Sequence, residues 1–162
     1  MRLKLKTTVS IFYLIFFVTY LFIGFQPTFS TTEPISGHLI IPKIHLSSAV
    51  TTLKPNNHKL PTPDFIVGSF QPSPHTTLLI GHSTTVFKHL HHLSVNDIVT
   101  YQNQSFYIID IQTLAKSAIN MSTLLTPTSQ DTIILMTCAG TDLGNGDASH
   151  RLIITAVRSG ML

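Results

Sequence analysis

The sequence predicts one mainly β domain, on three observations. Its 162 residues leave roughly 130 once an apolar N-terminus is set aside, enough for one compact core. Charged residues are only 10% of the chain, Trp is absent, and Thr, Ser and β-branched apolar residues are plentiful, a balance that favours strands over long helices. The clearest elements are two apolar runs near the C-terminus, TIILMTC and RLIITAV.

In chain order, Arg2, Lys4 and Lys6 precede an uncharged apolar run of 17 residues, Val9 to Phe25. Such a run is short for a membrane span but longer than a signal-peptide core, and Thr28-Phe29-Ser30 is a poor small-x-small cleavage site. The expectation is a cytoplasmic basic head over 1–8, an uncleaved single-pass cell-membrane anchor over 9–25, a linker over 26–36 and an extracytoplasmic domain over 37–160. A cleaved signal peptide would export the same domain.

HLIIPKIHL reads as an edge or entry strand broken by Pro42, and Ala49–Thr52 as a second weak strand. Pro55 to Pro74, with five prolines, reads as a long loop around Phe65-Ile66-Val67. Thr77–Ile80 is a buried-type strand ending at Gly81-His82, and Val86 to Leu93 has the spacing of one or two helical turns. Ile98–Tyr101 and Phe106–Ile111 form a hairpin around Gln102-Asn103-Gln104. Ala115 to Leu125 is ambiguous, with Ser122 a possible helix cap. Thr132–Cys138 and Arg151–Val157 close the domain.

The net charge of +3 resides in Arg2, Lys4 and Lys6, since the rest carries seven basic and seven acidic residues. With no basic stripe interleaved with aromatics, nucleic acid is not an expected partner. The single Cys rules out an intrachain disulfide framework, so Cys138 is either a core thiol or a reactive one.

If the last two runs pair antiparallel across the twelve turn-rich residues AGTDLGNGDASH, Cys138 and Arg151 meet at one rim of the sheet. A guanidinium there could be a solvated rim charge. It could also favour a thiolate and donate to an oxyanion. A thiol nucleophile further needs a proton shuttle, and nine His are available. His82 leaves a strand end, whereas His89, His91 and His92 read as the solvated face of a short helix around Leu90 and Leu93. Those three could alternatively serve a metal-binding module, and the loop Asp142 to Asp147 could hold calcium but lacks the EF-hand pattern. No metal or cofactor is expected. The wall-cross-linking cysteine transpeptidases place His before Gly-Cys, whereas Met136-Thr137 precede Cys138 here.

Four segments then resemble, in order, the motifs of the sortase family. LIIPKIHLSSAV resembles its entry motif, LLIGHSTTVFKHLHHLSVNDIVTY its Gly-His strand and following helix, ILMTC its thiol motif and HRLIITA its Arg-bearing strand. The first Thr of the thiol motif is Ile134 here, and His75-Thr76 stands where Gly-Asn often precedes the Gly-His strand. The resemblance implies a closed eight-stranded β-barrel with short helices, and a membrane-anchored cysteine transpeptidase. It assigns Cys138 as nucleophile, His82 as acid/base and Arg151 as oxyanion or substrate-positioning residue. Thr137, which orients Cys138 or substrate or else simply packs, matches the Thr before the Cys. Implied partners are exported proteins bearing a C-terminal sorting signal, and an amine acceptor from the cell wall or another surface protein. The alternative is a non-catalytic membrane-anchored β-domain that binds a partner or a metal.

Overall fold

The computed structural model describes residues 35–56, 60–144 and 147–160. The expected basic head, the apolar run 9–25 and all but the end of the expected linker lie outside the described residues. Among the described residues no helix is long and apolar enough to cross a membrane.

Strand β1 spans Ile35–Ile41 and stops where Pro42 starts a 3-10 turn, Pro42–Ile44, with His45 left-handed at its end. It begins two residues before Gly37 because an irregularity between Ile35 and Gly37 still lets Ile35 pair with Thr51. Strand β2 covers Leu46–Thr52, β3 Val67–Ser73, β4 Thr76–Ile80, β5 Ile98–Tyr101 and β6 Gln104–Ala115. A four-residue helix α1, Met121–Leu124, precedes β7 (Thr132–Gly144) and β8 (Asp147–Arg158). The strands close into a barrel in the order β1-β2-β3-β4-β7-β8-β6-β5. This is the eight-stranded closed β architecture with short helices that the family resemblance implies.

Several local expectations change. Val67–Ser73, read as loop, is a strand that pairs with both β2 and β4. Gly68 and Pro72 hide its alternation, and burial of Gly68 and Ser69 beside Val67 overrides their weak strand preference. The first strand is not an edge, because closure pairs it with β5 through Leu39–Tyr101 and Ile40–Thr100. Asn120, not Ser122, caps α1: its side-chain oxygen accepts from the Ser122 and Thr123 backbone N–H groups. The twelve residues after Cys138 are mostly ladder, so the β7–β8 hairpin runs on to Gly144 and Asp147.

Strand alternation divides the apolar residues into two clusters. Leu39, Val50, Val67, Leu79, Ile108, Ile133, Leu135 and Ile154 point into the barrel with Phe87, Leu90 and Leu93, which fold across from the segment after β4. The alternate residues Leu78, Ile80, Ile134 and Ile153 point outward. They are covered by Leu114 near the end of β6 and by Leu53, Leu60, Ile119, Leu124 and Leu125 from the connections that follow β2 and β6. That outer cluster is the floor on which the site rests.

Candidate active site

The register of three neighbouring strands assembles the site. β4 and β7 run parallel with Ile80 opposite Met136, so two residues further along each chain His82 comes beside Cys138. Thr137 Oγ1 pins this step by donating to the Gly81 carbonyl at 2.7 Å. On the other side of β7, Cys138 is the direct antiparallel partner of Arg151 on β8. Directly opposed residues have Cβ atoms about 5 Å apart on the same face. Imidazole, thiol and guanidinium therefore stand in a row across β4, β7 and β8.

All three line one cavity of about 350 Å³ on the outer face, with Leu60, Thr62, Ile80, Met121, Met136 and Thr137. Cys138 is a free, half-buried thiol. Thr137 is buried and its hydroxyl is engaged by Gly81, so it joins the two strands that carry the thiol and the imidazole.

Gly81 is needed at that step for space. A Cβ there would lie 2.5 Å from Val86 Cγ1 and 3.0 Å from Phe87 Cδ2. The tight exit lets the Phe87 turn cover the barrel end while His82 turns outward. The exposed Asp64 carboxylate lies 3.8 Å from His82 Nε2, beyond direct hydrogen-bond distance. Its backbone carbonyl accepts from Thr85 Oγ1 at 2.5 Å.

Arg151 is held within its own strand. Nη1 donates to the carbonyls of Ala148 (2.8 Å) and His150 (2.9 Å), and Nη2 donates to Asp147 Oδ1 (2.8 Å). Lys116 Nζ donates to the other oxygen of Asp147. Hydrogen bonds from Lys116 and Arg151, and from the Ala148 N–H, hold the Asp147 carboxyl well below the usual carboxylate range.

Sequence reasoning does not single out Asp64, and it names Asp147 only as the end of a loop that could hold calcium, not as a partner of Arg151. A lone acidic residue in a turn-rich stretch carries no signal until its cross-strand neighbours are known. The His89, His91 and His92 rings pack on one another at the surface, His89 stacked on His92 at 5.5 Å and His91 edge-on to His92 at 4.0 Å between centroids. Among the described residues no group of three or more His, Cys, Asp or Glu is arranged to hold a metal ion.

A half-buried thiol between an imidazole and a guanidinium, on the outer wall of a closed barrel, is the layout of a cysteine acyl-transfer site. The Sortase domain family matches residues 39–159, and the chain belongs to the sortase family of cysteine transpeptidases. Similar solved structures include sortase C-1 from Actinomyces oris, at 24% identity and TM-score 0.61 over 80% of this chain and 75% of that one. A lid mutant of sortase A from Corynebacterium diphtheriae has 21% identity and TM-score 0.62, over 84% of this chain and 75% of that one. The pilus-related sortase C of Group B Streptococcus has 21% identity and TM-score 0.60, over 81% and 70%. At these identities the likeness is one of fold. No curated protein matches the chain by sequence.

Proposed function

We propose that this chain is a membrane-anchored transpeptidase that cleaves a sorting signal in exported proteins and joins the acyl part to an amine. The observation that carries the reading is the side-by-side placement of His82 just past the end of β4, Cys138 on β7 and Arg151 on β8 around one cavity.

In this mechanism the Cys138 thiolate attacks the carbonyl carbon of the scissile peptide bond. The oxyanion that forms accepts hydrogen bonds from Arg151, whose charge is permanent. When the C–N bond breaks, His82 delivers a proton to the leaving amine, and a thioester remains on Cys138. An incoming amine then attacks the thioester carbonyl and gives up its proton to His82, and the thiolate departs. The acceptor is an amine of the cell wall or of another surface protein, giving wall anchoring or pilin-type polymerisation. Residues 9–25 hold the enzyme in the membrane with residues 1–8 cytoplasmic, which puts the catalytic domain 37–160 outside, where exported substrates are.

Intact-mass spectrometry of a fragment starting near Ser30, incubated with sorting-signal peptides and an amine, tests the reading. An acyl adduct or an amine-ligated product is expected. It should be absent in Cys138→Ala and reduced by at least about a hundredfold in His82→Ala and Arg151→Ala. A Cys138 that forms no adduct with any peptide and also resists a small thiol reagent in the folded protein would sink it. Fractionation of cells expressing the full chain tests the anchor, which fails if the protein leaves with the soluble fraction.

A further inference from the structure

The proposed role of Arg151 requires a guanidinium that stays in place while negative charge develops beside it. The side chain is only 16% exposed, and three of its five N–H groups are committed inside the β7–β8 hairpin. Nε–H and one Nη2–H remain, and Arg151 lines the cavity. Two of the three anchors are backbone carbonyls of the same strand. The third, the Asp147 carboxylate, is the only one that a side-chain substitution can remove.

An anchoring carboxylate carries a cost, because Asp147 alone would cancel the positive charge that an oxyanion needs. Lys116 offsets it. The lysine comes from the 3-10 turn Lys116–Ala118 after β6 and binds the other carboxylate oxygen. Over Lys116, Asp147 and Arg151 together the formal charge stays at plus one. The carboxylate is thus a bridge between two cations, and its second bond also ties the end of β6 to the hairpin that carries Arg151.

We infer that Asp147 is the positioning residue for Arg151, holding the guanidinium with its free N–H groups available to the cavity, and that Lys116 acts through Asp147 to keep the site net positive. The inference rests on the transpeptidase reading for its catalytic consequence, and on hydrogen-bond geometry alone for its structural one.

Two measurements test it separately. In the first, peptide-dependent acylation of Cys138 is followed in a double-mutant cycle. Asp147→Ala should lower the rate about tenfold in the wild-type background and leave it unchanged on top of Arg151→Ala. Asp147→Asn, which retains an acceptor oxygen, should fall between. A loss of the same size in both backgrounds would show that Asp147 does not act through Arg151. A faster reaction in Asp147→Ala would mean that the carboxylate restrains the guanidinium, and would also overturn the inference.

The second measurement needs no substrate. In ¹H–¹⁵N spectra of the folded domain, the anchored guanidinium should show separate Nη resonances for Arg151, assigned by their loss in Arg151→Lys. Asp147→Ala should merge or broaden them, while Lys116→Met should leave them separate. Unchanged Arg151 resonances in Asp147→Ala would overturn the inference even if no peptide reacts. An absence of acylation in the wild type, with the spectral change present, would count against the transpeptidase reading and not against this one.

Discussion

At the residue scale, Thr137 and Gly81 set the relation between thiol and imidazole. Thr137 donates to the Gly81 carbonyl from a buried position, so Thr137→Val leaves that carbonyl without its partner. The expected loss is about 1–3 kcal/mol of stability. Acyl transfer should fall with it, because the step between His82 and Cys138 loosens, and Thr137→Ser should restore most of both. Urea denaturation beside a peptide assay checks this, and a Ser variant as impaired as Val would count against it. Gly81→Ala should cost about 1–3 kcal/mol for a different reason, the clash of the new Cβ with Val86 and Phe87. Thermal denaturation reads that loss directly.

Cys138, His82 and Arg151 were legible as residue types suited to the chemistry, but not all their neighbour relations were. Antiparallel pairing of two adjacent apolar runs brings Cys138 to Arg151 by local reasoning. Bringing His82 to Cys138 requires the parallel pairing of β4 with β7, joining chain segments 56 residues apart at the Thr137–Gly81 bond. No periodicity within a single sequence specifies that pairing.

At the element scale, the β7–β8 hairpin departs most from the sequence reading. Its turn-forming composition suggested a loop from Ala139 to His150, yet the ladder continues through irregular pairings around Asp142. Gly140 takes φ +77° at this irregularity, and a Cβ there would meet His150 Nδ1 and Ser149 Oγ at 2.6 Å. Turn formers are thus used inside a ladder, where they bend it, and composition alone does not distinguish the two uses. The opposite lesson comes from β3, whose Gly and Pro concealed a strand.

Helix α1 is so short that its cap carries much of its order. Asn120→Ala should destabilise the turn by roughly 1 kcal/mol. Because Met121 lines the cavity, the functional expectation is a severalfold higher KM for peptide with kcat little changed. Steady-state kinetics on the soluble domain checks the split, and a fall in kcat alone would contradict it.

At the scale of the whole molecule, the barrel has a second polar cluster at the end opposite the site. His75, just before β4, shares Asp131 with Arg158, the last residue of β8. Asp131 Oδ1 lies 2.7 Å from His75 Nδ1, and Asp131 Oδ2 accepts from Arg158 Nη1 at 2.9 Å. Hydrogen bonds from His75 first and Arg158 second hold the Asp131 carboxyl below its ordinary value of 3.8. A carboxyl depressed by folding stabilises the native state above its unfolded value, and that contribution is lost as pH falls through the folded one. Asp131→Asn should therefore lower the melting temperature at neutral pH and make the difference from wild type shrink as pH drops below about 4. A difference that stays constant from pH 7 to pH 3 would show that the clamp contributes nothing through charge. Asp147, shifted in the same direction, adds acid sensitivity that this variant leaves in place.

The proposed reaction centre sits on the outer wall of the barrel, floored by the outward-facing residues of β4, β7 and β8 and flanked by two connections. A chamber inside the barrel would admit only what could be drawn through its mouth. A trough on the wall sets no such limit on the size of what it serves. A few extended residues laid across it are enough, and the folded bodies at either end of the new bond can remain intact in the surrounding space.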